Sequence, residues 1–182
     1  MKKLLIITEE ESAKKFLDTY LPRYISEKHK GWNRGRDYLI KTISFKGKGE
    51  LLKKLRKVIP TSDCDGLIVL MDQDEEDCKQ AKNKLRIALG NCNYPVKFRI
   101  ACHELEAFYL GDLDSLEKSL KKRISTGRKS PDSITNPSRH IGGYCNYSKT
   151  ELAIKMGNRI SHQATSVSFR MLQSAVDEML SR

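Results

Sequence analysis

The strongest constraint on the fold is the alternation, along the first 110 residues, of short apolar runs with segments of helical periodicity. Four apolar runs have the length of buried strands, and they lie at residues 2–8, 37–45, 65–72 and 94–102. Segments whose apolar residues recur at helical spacing follow them at 9–24, 47–59, 75–89 and 103–122. Strands separated by helices are joined as parallel βαβ units. The sequence therefore predicts an α/β fold with an open, mainly parallel, four-stranded Rossmann-like sheet flanked by helices. Pro22 is predicted to end or bend the first helix.

The pattern changes after residue 110. Residues 125–149 are rich in Ser, Gly, Asn and Pro and predict a long loop, and two further helices are predicted at 149–157 and 167–180. We expect residues 1–110 to form the α/β core and residues 111–182 a helical extension with a long basic loop. The extension is expected to pack on the core, because it is too short and too polar to fold alone.

Composition excludes several classes of protein. No apolar run approaches the length of a membrane span, and the N-terminal run Leu4–Ile7 is too short for the apolar region of a signal peptide. The five cysteines form no CxxC pair, which argues against zinc and against a disulfide framework. The sequence predicts a cytoplasmic protein with no membrane contact.

Positive charge is concentrated in two regions of a chain whose net charge is +11. Residues 118–159 carry ten Lys or Arg against two acids, a local excess of 10 − 2 = +8. A second basic stretch at 27–37 surrounds Trp32, the only tryptophan. Basic residues beside an aromatic side chain suit a phosphate backbone and its bases, and the alternative is a solvated surface.

Acidic side chains follow the predicted strands, at the edge of the sheet where ligands bind in such folds. Asp72 and Asp74 are two apart in an extended segment, so their carboxylates are expected to point the same way. Glu9, from the first strand, would bring a third carboxylate to the same place. Two close carboxylates repel unless a cation or a proton lies between them, and oxygen ligands of this kind suit Mg²⁺ or Mn²⁺. The sequence thus predicts Glu9, Asp72 and Asp74 as metal ligands.

Other acids in this region have a simpler interpretation. Glu75, Glu76 and Asp77 fit the first turn of a helix, where the helix dipole favours negative charge. Glu104 and Glu106 in "HELEAFYL" either face the site or lie on a helix face.

The glycine-rich segment "FKGKGELL" at residues 45–52 precedes a helix. Its backbone amides together with Lys46 and Lys48 could contact a phosphate, and the alternative is a glycine turn without a ligand. No GxxxxGK[ST] motif occurs in the chain, so a P-loop NTPase is unsupported.

Four segments carry a resemblance to a known family: "GKGELLKKL", "LIVLMDQDEEDC", "ACHELEAFYLGD" and "SVSFRMLQSAV". Along most of its length the chain resembles a bacterial family of small proteins with a TOPRIM-like fold, often encoded beside an AAA or ABC-type ATPase in settings suggestive of phage defence. TOPRIM domains bind Mg²⁺ with a glutamate after the first strand and a DxD after the third. The resemblance therefore implies the same roles for Glu9, Asp72 and Asp74. It also adds Glu104 and Glu106 as candidate catalytic residues.

One motif departs from the family pattern. The first motif of the family resembles EGxTE, whereas this chain has "EEESA", with Glu10 in the glycine position. Whether Glu9 or Glu10 faces the metal is therefore left open.

Two functions follow as expectations. The first is a Mg²⁺- or Mn²⁺-dependent nuclease that hydrolyses DNA or RNA and serves as the effector subunit of an ATPase-partnered defence system. The second is a non-catalytic regulatory subunit that binds nucleic acid or the ATPase through Trp32 and the basic C-terminal region. Either form could be an oligomer.

Overall fold

The computed structural model describes residues 1–58 and 63–181, and it contains the predicted four-stranded sheet. The strands are β1 (Lys2–Thr8), β2 (Tyr38–Ser44), β3 (Gly66–Asp72) and β4 (Val96–Ala101). They lie in the order β2-β1-β3-β4, and every pair of neighbours is parallel. The predicted α/β class with an open parallel sheet is confirmed.

Alternate residues of the two central strands face opposite sides of the sheet, as the twofold repeat of a strand requires. Leu4, Ile6, Ile68 and Leu70 lie in one apolar core, and Leu5, Ile7, Leu67, Val69 and Met71 lie in the other. Both faces are therefore buried, which explains why β1 and β3 are continuously apolar rather than alternating.

Eight α-helices surround the sheet in the described part of the chain. They are α1 (Glu11–Lys28), α2 (Lys48–Val58), α3 (Cys78–Leu89), α4 (Glu106–Leu110), α5 (Leu113–Leu120), α6 (Pro137–Gly142), α7 (Lys149–Arg159) and α8 (Val167–Ser181). The helices α2 and α3 supply the core on one face, and α1, α7 and α8 supply the core on the other. The predicted end of the second helix at residue 59 lies outside the described residues.

Pro22 does not end α1, because the helix continues to Lys28. The last two turns bury Tyr24 and Ile25, and Tyr24 stacks on Tyr20 with ring centroids 5.5 Å apart. This packing outweighs the loss of the one backbone hydrogen bond that proline cannot donate.

The extension is more ordered than the sequence predicts. The helix expected at 103–122 is two helices, α4 and α5, and the second begins where the Asp112 side chain accepts the Ser115 amide. Between them the chain passes Ser166 at Gly111 so closely that a Cβ would lie 2.8 Å from the Ser166 nitrogen. The predicted loop at 125–149 contains a 3-10 helix (Pro131–Ser133) and α6. Apolar residues of the extension join β1, β3 and α1 in a single core cluster.

The topology marks one edge of the sheet as the place for a ligand. The connection from β1 runs through α1 to β2, whereas the connection from β3 runs through α3 to β4 on the other side. The crevice where two connections diverge, at the carboxyl ends of β1 and β3, is the usual ligand site of such sheets. None of the described helices has the length and apolar character that crossing a membrane requires.

Candidate functional site

Six carboxylates lie where the strands end. Glu9 and Glu10 follow β1, Asp72 ends β3 and Asp74 follows it, and Glu104 and Glu106 come after β4. The sequence analysis predicted this location for all of them, and the structure divides them into groups with different partners.

Glu9 is held by the backbone of two other elements. Its Oε1 accepts a hydrogen bond from the Lys48 amide at 3.1 Å, and its Oε2 accepts one from the Asp72 amide at 3.2 Å. Burial raises the pKa of the Glu9 carboxyl, the charge of Asp74 raises it further, and Lys48 opposes both. The carboxylate thus links the end of β1 to the start of α2 and the end of β3.

Asp74 lies beside Glu9 but has its own counter-ion. The Lys48 ammonium is 2.7 Å from Asp74 Oδ2 and 3.8 Å from Glu76 Oε2. Asp74 has a left-handed backbone (φ +54°), and its amide donates to the His103 carbonyl at 2.8 Å. Aspartate is among the few residues that tolerate this conformation, so the second acid of the DxD also shapes the turn.

Two backbone amides of the predicted phosphate-contacting segment already donate hydrogen bonds to carboxylates of the same chain. Gly47 adopts a positive φ of 92° before α2, as a glycine turn requires. The Glu9 carboxylate accepts the Lys48 amide, and the Lys46 amide donates to Glu50 at 2.6 Å. The structure therefore favours the alternative in which this segment is a glycine turn, with Lys48 as a counter-ion and the Lys46 side chain exposed.

Asp72 is surrounded by negative charge. Burial raises its pKa well above the ordinary value for an aspartate, and the charges of Glu10, Glu9 and Glu106 raise it further, in that order. The only opposing charge among the principal causes is that of Lys149. An ionised Asp72 in this position lacks the positive charge that would stabilise it.

Glu106 is the most buried of these acids, with 2% of its surface exposed. Its Oε1 accepts a hydrogen bond from the Tyr147 hydroxyl at 3.4 Å and lies 3.7 Å from the Lys149 ammonium. Its Oε2 is buried and has no hydrogen-bond partner among the described residues, and the same is true of the Tyr109 hydroxyl. Burial raises the pKa of Glu106, and Lys149 opposes this.

Tyr109 belongs to the same cluster. Burial raises its pKa well above the ordinary value, and the charges of Glu106, Asp72 and Glu10 add to the increase. We call the set of Glu10, Asp72, Glu106, Tyr109 and Lys149, whose charges and burial affect one another's pKa, the Asp72 cluster.

Glu104 has a structural role at the N-terminus of α6. Its Oε2 accepts from the Ser138 amide at 2.7 Å, and its Oε1 accepts from the Ser138 hydroxyl at 2.9 Å. These bonds satisfy donors at the start of a short helix and connect the end of β4 to the extension.

Three residues of the Asp72 region were not predicted. Tyr147 and Lys149 come from the extension, more than 70 residues after Asp72, within a stretch that the sequence marks only as basic and loop-like. Tyr109 lies in an apolar helix and resembles any core aromatic residue. Only the tertiary fold brings these side chains to the acids.

The three predicted metal ligands do not form a ready-made cage. Residues 1–58 and 63–181 contain no group of three or more His, Cys, Asp or Glu side chains placed to hold a metal ion. Glu9 is engaged by two backbone amides and Asp74 by Lys48. The chemical type of Asp72 and Glu106 still suits a hard divalent cation, because both are carboxylates and Glu106 Oε2 is buried without a hydrogen-bond partner among the described residues.

The extension presents a basic surface, which we define by its exposed cationic residues: Lys121, Lys122, Arg123, Arg128, Lys129 and Arg139. None of the six forms an ion pair with any described residue. In contrast, Trp32 stacks on His29 with centroids 4.6 Å apart and packs against the core. The extension therefore has exposed basic side chains without counter-ions among the described residues, whereas Trp32 makes its contacts within its own chain.

Comparison with known proteins gives one match. The family model described as "Domain of unknown function (DUF4276)" matches residues 8–178, which include β2, β3, β4, the six carboxylates and most of the extension. A search of curated proteins and a search of solved structures found no match.

Proposed function

The chain belongs to this DUF4276 family, whose description assigns no chemistry, and we propose from the site itself that it is a Mg²⁺- or Mn²⁺-dependent nuclease acting on DNA or RNA. The proposal is carried by the surroundings of Asp72, at the crevice between β1 and β3. Burial and the charges of Glu10, Glu9 and Glu106 raise the pKa of Asp72, and the nearby Glu106 has a buried carboxylate oxygen without a hydrogen-bond partner among the described residues. Carboxylates crowded in this way are a frequent mark of a functional site.

A divalent cation would be held by Asp72 together with Glu106 and Glu10 once their side chains turn toward it, because no three acidic side chains of the described residues are placed to hold a metal as they stand. Glu10 is favoured over Glu9, because both oxygens of Glu9 accept backbone amides, whereas Glu10 accepts a hydrogen bond from the Ser12 hydroxyl through Oε1 alone among the described residues. When bound, the cation would polarise a phosphodiester and activate water.

The remaining residues then have supporting roles. Glu9 fixes the ends of β1 and β3 relative to α2 through its two hydrogen bonds. Lys48 neutralises Asp74, and the basic surface attracts the phosphate backbone of the substrate. Positive charge on the extension and negative charge at the strand ends suit a polyanion that must be held near a cation.

The biological setting of the proposal rests on the family resemblance. We include in it an AAA or ABC-type ATPase as partner, a role as effector in phage defence, and a cytoplasmic location. The cytoplasmic location is proposed because disulfides are rare in reducing compartments, and all five cysteines are free.

A second candidate is a non-catalytic subunit that binds nucleic acid or the ATPase. It is favoured by one observation: two of the three acids that the resemblance assigns to the metal, Glu9 and Asp74, are already satisfied within the chain.

A cleavage assay separates the two candidates. Plasmid DNA and RNA are incubated with Mg²⁺ or Mn²⁺ and either the chain alone or the chain with the proposed AAA or ABC-type ATPase partner. The nuclease proposal expects cleavage by the wild type that is lost in Asp72→Asn and Glu106→Gln. The proposal expects cleavage to be retained in Glu75→Gln, which is a matched control at an exposed acid of the same segment. Cleavage that is absent in both settings, with binding retained, supports the binding subunit.

A further inference from the structure

Lys149 lies in a position that a helix alone does not favour. It is the first residue of α7, and the N-terminus of a helix carries partial positive charge that repels a cation. Its ammonium is nevertheless directed toward acids: it lies 3.7 Å from Glu106 Oε1. The other acids that act on it, after Glu106, are Glu10, Glu104 and Asp72. The acids, rather than the helix, account for a lysine at this place.

Two buried polar groups of the Asp72 cluster remain without hydrogen-bond partners even so. The 3.7 Å separation exceeds a hydrogen bond, and two polar groups that are more than nine-tenths buried, Glu106 Oε2 and the Tyr109 hydroxyl, have no hydrogen-bond partner among the described residues. Unpartnered buried polar atoms are costly and call for an explanation such as an ion at the site.

The helix that carries Lys149 is packed against the core, whereas the Lys149 side chain is partly exposed. On α7, Leu152, Ala153 and Met156 are buried, and Gly157 approaches α1 so closely that a Cβ would lie 2.8 Å from the Phe16 carbonyl. The Lys149 side chain is 44% exposed and ends a flexible four-carbon stem. The ammonium can therefore leave the acids without any movement of the helix.

We propose that the Lys149 ammonium holds the place of a divalent cation in the metal-free protein, so that metal and Lys149 compete for the Glu106 carboxylate. The inference rests on the proposed function for the existence of a cation site. It assigns to the extension the control of metal affinity at a site whose acids come from the core.

The test is a calorimetric titration with Mn²⁺ and a thermal melt, both on the full chain. The variants are Lys149→Gln and, as matched control, Lys155→Gln, an exposed lysine of the same helix without an ion pair to any described residue. Removing a competing charge this close to a carboxylate is expected to tighten Mn²⁺ binding about five- to tenfold. The metal-free variant should melt below the wild type, and the gap should shrink at saturating Mn²⁺. Lys155→Gln should leave both unchanged.

The outcomes separate this inference from the nuclease proposal. Tighter Mn²⁺ binding by Lys149→Gln without any cleavage by the wild type overturns the nuclease and keeps the competition. Cleavage by the wild type with Mn²⁺ affinity unchanged or weakened in Lys149→Gln overturns the competition and keeps the nuclease. Absence of Mn²⁺ binding in both proteins overturns the competition, and with it the metal dependence of the nuclease.

Discussion

At the scale of single residues, the positions of the acids could be predicted from the sequence, but their partners could not. The DxD after an apolar run placed Asp72 and Asp74 at a strand end, and the structure has both there. The two side chains nevertheless have different electrostatic partners. Asp74 forms an ion pair with Lys48, whereas the charges of Glu10 and Glu106 raise the pKa of Asp72. The left-handed backbone of Asp74 breaks the twofold repeat on which the sequence argument relied.

The first prediction concerns Asp72. Its pKa is raised in the folded chain, so its contribution to stability is present at low pH and is lost as the pH rises through that pKa. Asp72→Asn is therefore expected to raise the melting temperature of the metal-free protein at pH 8. The gain should fade at a pH where Asp72 is protonated, because Asn then differs little from the neutral acid. Thermal melts across this range in the presence of a chelator measure it. A variant that melts lower than the wild type at pH 8 would show Asp72 to be a structural residue.

The second prediction concerns Glu9. Glu9→Ala removes two hydrogen bonds to a charged acceptor and is expected to lower the free energy of unfolding by about 1–3 kcal/mol, toward the lower end because the site is partly exposed. Urea unfolding measures the loss, and Glu75→Ala at the neighbouring exposed acid serves as control. Equal stability of Glu9→Ala and the control would contradict the anchoring role.

At the scale of elements, periodicity predicted the strands and most helices, while the exceptions depend on contacts between distant segments. The helix α1 passes Pro22 because its later turns are buried against the extension, where Tyr24 donates a hydrogen bond to Asp177 at 2.8 Å. Likewise α6 forms within a stretch of loop composition because Glu104, more than 30 residues earlier, accepts the donors of Ser138. Neither contact leaves a local pattern in the sequence.

The third prediction tests the contact between α1 and α7. Gly157→Ala would place a Cβ 2.8 Å from both the Phe16 carbonyl and the Thr19 Cβ, so it is expected to cost about 1–3 kcal/mol of stability. Gly49→Ala in α2 is the control. Its Cβ would meet nothing within 4 Å, and a better helix former there should leave stability unchanged or slightly higher. Urea unfolding that shows equal effects would mean that α7 does not pack on α1 as described.

At the scale of the whole molecule, the sequence indicated a chain of net positive charge with a concentrated acidic site. The fold places the acidic site and the basic surface on different parts of the molecule. The acids lie at the carboxyl ends of the strands, whereas the basic surface belongs entirely to the extension. Charge counts along the chain locate each region, but only the packing of the extension through α7 and α8 brings Lys149 to the acids.

The fourth prediction concerns nucleic-acid binding. Each phosphate contact contributes a slope of roughly −0.7 to −0.9 to the dependence of log affinity on log salt, so replacing Lys121, Lys122 and Arg123 with Gln should flatten the slope by about 2–3. Fluorescence anisotropy with labelled single- and double-stranded oligonucleotides measures it. The control replaces the exposed Lys53, Lys57 and Lys79 of α2 and α3 with Gln. Identical slopes for the two triple variants would remove the basic surface as the binding face.

In the proposed function the Asp72 cluster, and not the Glu9–Asp74 side of the crevice, holds a divalent cation. The most direct measurement is an anomalous difference map from a crystal of the chain soaked in Mn²⁺. The expected result is a Mn²⁺ peak within coordination distance of carboxylate oxygens of Asp72, Glu106 and Glu10, with the Lys149 ammonium displaced from Glu106. A peak bound by Glu9 and Asp74 with Lys149 still beside Glu106, or a fully occupied soak with no peak at the carboxyl ends of β1 and β3, would contradict it.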